Sequence, residues 1–107
     1  MIIKTVEFKN KAIISNLNRL TSQIYKLLPS WEECSDWKTP LTTITEELAG
    51  LGRVIPDRQD IIFCILCKLE GLFGLTSEED FFSYRRTIFE CLNLLQTLKE
   101  DFKEEEV

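Results

Sequence analysis

Two rows of apolar residues confine this chain to helices. Ile13, Leu17, Leu20, Ile24 and Leu27 step alternately by 4 and 3 residues, and so do Tyr84, Ile88, Cys91, Leu95, Leu98 and, after a step of 4, Phe102. A strand would throw members of such a row to opposite faces, whereas a helix gathers them on one. Each row is the seam of a helix that faces a neighbour along its length. The first seam extends back through one polar interruption, Asn10, to Val6. It predicts a helix over 8–28, stopped by Pro29, because a proline pushes the residue before it out of the α region. The first eight residues could form a short strand, but nothing in the chain would pair with it. The second seam predicts a helix from 77 to beyond 100.

Two shorter helices are expected between them. Thr39-Pro40 reads as a helix start, with Thr39 as N-cap and Pro40 at the first helical position. Leu41, Ile44 and Leu48 then share a face, and Gly50 and Gly52 are suitable stops. Pro56-Asp57 opens a third helix over 57–74. Its centre, Ile61 to Cys67, is apolar all round, which predicts a helix buried on every face. Thr76-Ser77-Glu78-Glu79 has the pattern of a capping box for the fourth helix. Residues 29–39 read as a loop that Trp31 and Trp37 pin to the bundle by burying their indoles. The expected architecture is all-α: a four-helix bundle-like domain with two long and two short helices and a central, buried third one. At 107 residues and 44% hydrophobic content the chain supplies one core. A single domain over 1–107 is expected, with a frayed, charged tail over 99–107.

Composition removes several chemistries. The chain has no histidine, so a Ser-His-Asp triad, a Cys-His nucleophile and any His-containing metal site are excluded. No apolar run reaches the roughly 18 residues of a membrane span, and Met1 to Lys11 lacks the apolar core of a signal peptide. A cytoplasmic protein without membrane contact is expected. Cys34, Cys64, Cys67 and Cys91 are then reduced thiols. Cys64 and Cys67 spell CxxC, but they fall mid-helix in an apolar run. They read as core residues, not as a redox or zinc pair. No catalytic residue, metal or cofactor is assigned.

The net charge of −5 is unevenly spread. Residues 1–31 carry Lys4, Lys9, Lys11, Arg19 and Lys26 against Glu7 alone, and the remainder carries 8 bases against 17 acids. Such a chain is poorly suited to wrapping duplex nucleic acid, where phosphate neutralisation supplies most of the affinity. It suits a protein partner with a basic surface. Helix length suggests a second copy. About 26 residues at about 1.5 Å each span roughly 39 Å, more than the roughly 34 Å diameter of a compact domain of this size. The overhang would carry Leu95, Leu98 and Phe102, and a homodimer would cover them. These three, with Trp31 and Trp37, are the expected partner-binding residues. The function expected is that of a non-catalytic interaction protein: a small acidic regulator, inhibitor or adaptor subunit.

Two other classes have residues to support them. Glu46, Glu47, Asp57 and Asp60 are paired carboxylates of the kind that hold Mg²⁺ for pyrophosphate chemistry. The run Asp57-Arg58-Gln59-Asp60 resembles the acidic start of the third helix in MazG-like nucleotide pyrophosphohydrolases, and the resemblance implies a metal-dependent nucleotide hydrolase. That family shows EExxE and, after a longer spacer, ExxD. Here the third acid of the first motif falls on Gly50. As helix-start residues, Asp57 and Asp60 also suit the helix dipole. The third class is a nucleic-acid-associated small subunit using the basic first helix, with Arg85-Arg86 behind the aromatic run Phe81-Phe82-Ser83-Tyr84.

Overall fold

The computed structural model describes residues 2–33 and 36–104, and side chains over 11–33 and 36–102. Five helices follow one another: α1 (Ile2–Tyr25), α2 (Leu27–Glu32), α3 (Lys38–Val54), α4 (Gln59–Leu72) and α5 (Phe81–Glu104). Three-residue 3-10 turns, Pro56–Arg58 and Glu78–Asp80, precede α4 and α5. There is no strand among the described residues, and the all-α reading stands. Both predicted seams are buried. From Ile13 to Leu27 and from Tyr84 to Leu98 no seam residue is more than 2% exposed.

The element boundaries correct several expectations. Helix α1 begins at Ile2, well before residue 8. Its break comes at Lys26, not Pro29. Proline has no N–H for the carbonyl four residues back, here that of Tyr25, and its ring crowds it. The ladder therefore parts there, and Pro29 sits harmlessly in the first turn of α2, where an amide would lack a helical partner anyway. The first part of the expected loop, Pro29 to Glu32, is thus helix.

Thr39 does not cap α3. The Asp36 carboxylate accepts from the amides of Lys38 (3.1 Å) and Thr39 (3.2 Å), and from the Thr39 hydroxyl. These bonds hold the Asp36 carboxyl below its ordinary pKa, the Thr39 hydroxyl first among them. Nor do the glycines stop α3, which runs on to Val54. Gly52 is buried, and a Cβ there would lie 3.4 Å from Ile62 Cγ2. A methyl at this position would just touch α4, and a larger side chain would press on Ile62. The capping box lies one residue downstream of the expected one: Ser77 Oγ accepts from the Glu79 amide (3.3 Å) and Asp80 Oδ2 from the Ser77 amide (3.2 Å).

In cross-section α1, α3, α4 and α5 form a square. Each of α3 and α5 packs on both α1 and α4, which face each other across the core. α5 runs antiparallel to α1, since Trp31 meets Phe81 at the start of α5 and Lys99 donates to Asn18 (3.0 Å) near its end. The molecule is elongated, 53 × 22 × 21 Å.

This arrangement corrects two larger expectations. Leu95, Leu98 and Phe102 are 1%, 0% and 8% exposed within one copy, so they need no second chain for cover. The longer α3 and Ile55 extend the bundle, and Arg58 pairs with Asp101 (3.2 Å), bringing the Pro56–Arg58 turn level with the end of α5. Residues 99–102 of the expected frayed tail are therefore anchored; 105–107 lie outside the described residues. And α4 is not buried on every face. Ile62, Ile65, Leu69 and Leu72 point inward, while Phe63, Cys64 and Cys67 are exposed.

Candidate functional site

The outer face of α4 is the site the fold isolates. A helix at one corner of a square bundle has neighbours on two flanks and the core behind, which leaves one side bare. On α1, α3 and α5 the described outward side chains are mostly polar, with Tyr25, Val54, Phe82 and Phe89 as the exposed apolar exceptions. On α4 it carries Phe63, 68% exposed, with Cys64 and Cys67, while Ile61 and Leu66 are half-buried along the flanks. Burying a phenylalanine of this kind is worth about 1.5–3 kcal/mol, and the chain leaves that gain untaken.

Beside Phe63 lies a groove of about 470 Å³ between α3 and α4. Gly52 and Ala49 form the α3 wall, and Ile62, Phe63 and Leu66 the α4 wall. The missing side chain at Gly52 and the single methyl at Ala49 make room for it. Arg53 stands on the α3 rim and Asp60 on the α4 rim, both exposed. On the opposite flank, Lys68 donates to Glu90 of α5 (3.0 Å), and this hydrogen bond raises the Lys68 ammonium above its ordinary pKa.

The cysteine expectation is corrected for two residues. Cys64 and Cys67 are exposed free thiols, whereas Cys91 is a buried core residue whose thiol is pushed up to about 12 by burial. Cys34 lies outside the described residues. Apolar sequence context is what misled: in a run without polar residues, nothing marks which side faces out.

The remaining sequence candidates lie elsewhere. Trp31 Nε1 donates to the Leu75 carbonyl (3.3 Å), and its ring lies 5.2 Å from Phe81 and 5.4 Å from Tyr84. Trp37, 8% exposed, meets Tyr84 edge-on at 5.1 Å. Both indoles fasten the α2–α3 segment to the start of α5. Tyr84 at their centre is fully buried, and desolvation holds its phenol well above the usual range. Leu95, Leu98 and Phe102 are core.

The carboxylates do not assemble. Glu47 pairs with Arg19 (3.1 Å), Asp57 and Asp60 are exposed at the start of α4, and Glu46 faces solvent. Among the described residues no three Cys, Asp or Glu side chains converge on a point that could hold a metal ion. Arg85 lies over the Phe89 ring (5.4 Å) and Arg86 reaches Glu90 (3.8 Å), so both arginines are engaged along α5. No described helix is long and apolar enough to cross a membrane. No family model, curated protein or solved structure matches the chain.

Proposed function

We propose that the protein is a non-catalytic interaction protein, a small acidic regulator or adaptor that binds a protein partner through the outer face of α4. The observation behind this is the mismatch between composition and position. The most apolar segment of the chain, Ile61 to Cys67, leaves Phe63, Cys64 and Cys67 in solvent beside an open groove. Contiguous exposed apolar surface of this kind marks interaction sites in soluble proteins. The partner-binding role expected for Trp31, Trp37, Leu95, Leu98 and Phe102 passes to this face, because Trp37, Leu95, Leu98 and Phe102 are buried in the core and the half-buried Trp31 packs on Phe81 and Tyr84.

The test is site-specific crosslinking. A photoreactive phenylalanine analogue at position 63 should form a defined protein adduct in extract of the native cells. The same analogue at Phe82, 77% exposed on α5, should not. Phe63→Asp, whose side chain lies outside the core, should abolish partner binding with helix content unchanged. Equal adducts from both positions, or full binding by Phe63→Asp, would sink the proposal.

A further inference from the structure

We infer that the occupant of the α3–α4 groove is a second copy of this chain, in a weak two-fold dimer. This inference rests on the interaction reading above and names its partner.

The face is complementary to itself in shape. Phe63 is a knob and the groove beside it a hole, and they share one wall. A two-fold axis running along that wall seats each Phe63 in the groove of the other copy. Both knobs and both holes are then used, which an isologous interface requires.

The face is also complementary to itself in charge. Arg53 stands on the α3 rim and Asp60 on the α4 rim. The same axis sets α3 of one copy against α4 of the other. Arg53 then faces Asp60 of the partner subunit, and the pair is formed twice. A partner of uniformly basic surface would meet Arg53 as a repulsive charge; a second copy does not. Cys64 and Cys67, small and exposed, let the two α4 helices come close.

Size sets the strength. α4 has 14 residues, about 21 Å of helix at about 1.5 Å each. With α3 beside it, the face is roughly 20 Å wide at helix spacings of about 10 Å. That is roughly 400 Å² in projection, below the roughly 800 Å² per partner of a standard interface. Association in the micromolar range or weaker follows, visible as a concentration-dependent mass.

The experiment is sedimentation equilibrium on the full chain, reduced, from about 5 to 500 µM. Wild type should pass from monomer to dimer across that range, and Phe63→Asp should stay monomeric with unchanged helix content. Arg53→Asp and Asp60→Arg should each dimerise about tenfold more weakly, because each turns two rim pairs from attraction to repulsion. An equimolar mixture of these two variants should recover the wild-type constant, because both pairs are attractive only in the heterodimer. A pair formed within one chain is the same before and after mixing, so recovery on mixing identifies contacts between copies.

A wild type monomeric at every concentration, a Phe63→Asp that still dimerises, or a mixture no tighter than its components would each overturn the inference. The interaction reading fails separately. If wild type stays monomeric while position 63 still crosslinks to a different protein, the site stands and the second copy falls. If neither dimer nor adduct depends on Phe63, both fall.

Discussion

Truncating Leu98 separates the two places its side chain could belong: the core of one copy or an interface between two. The side chain is 0% exposed, on the inward row of α5, level with Asn18 of α1. Leu98→Ala removes buried carbons and leaves a cavity that close-packed neighbours fill only in part, at a cost of about 3–4 kcal/mol. Domains of this size have about 5–15 kcal/mol to lose. With a urea slope of about 1–3 kcal/mol per molar, the midpoint should fall by roughly 1–4 M. Helix circular dichroism during urea titration reads this directly. The titration belongs in the Phe63→Asp background, at about 1 and about 50 µM. Unfolding of a single copy does not depend on concentration, so the two curves should superimpose both with Leu98 intact and with Leu98→Ala. A loss below about 1 kcal/mol, or a loss that grows on dilution, would refute the placement of Leu98 in the core.

Three further outcomes are expected. In a Cys34→Ser variant, two thiols should react quickly with an aromatic disulfide reagent and a third only on unfolding, since Cys64 and Cys67 are exposed and Cys91 is buried; slow reaction of all three would restore the all-core reading. Stability should decline in alkali: Cys91 moves from an ordinary 9.0 to about 12 on folding, and Tyr84 also moves upward from 10.0. The folded state keeps protons that the unfolded chain releases, so stability is full below pH 9 and falls as pH climbs through the folded values, by at most about 1.4 kcal/mol per pH unit per group. Cys91→Ala should flatten the earlier part of that decline in urea midpoints, and an unchanged slope would count against the burial argument. Gly50→Ala, with nothing within 4 Å of the added Cβ, should stabilise α3 by about 0.5–1 kcal/mol. Gly52→Leu, pushed against Ile62, should destabilise the fold by about 1–3 kcal/mol. Equal effects in thermal melts would show that Ile62 does not restrict the size of the side chain at position 52.

What could be read from the sequence follows from what periodicity encodes. The seams from Ile13 and from Tyr84 are legible because polar residues flank them and mark the outward side. The run from Ile61 to Cys67 has no such flank, so its inward and outward residues look alike until α3 and α5 are placed. Helix ends are less legible, because several residues compete for each role. Asp36 outreaches Thr39 as a cap, and Ser77 and Asp80 take the box written equally well by Thr76 and Glu79. Gly52 reads as a stop, but only the distance to Ile62 shows it to be a point of close approach. The groove is invisible in sequence, since its walls come from two helices and its emptiness from a hydrogen at Gly52.

The pairing of Trp31 and Trp37 about Tyr84 decides what light can report about this molecule. These are the only two tryptophans, and both lie where α2 ends and α3 begins, beside the start of α5. The groove lies where α3 ends and α4 begins, at the opposite ends of those two helices from the tryptophans. Intrinsic emission therefore samples one pole and is blind to the other. A ligand or a second copy at Phe63 would leave the emission spectrum untouched while changing the mass in solution. During denaturation, emission follows the tryptophan pole and far-ultraviolet dichroism follows all the helices. Coincident midpoints would mean the rod unfolds as one cooperative unit. An emission change that comes later would mean the α3–α4 end opens first, making the groove the least guarded part of the protein.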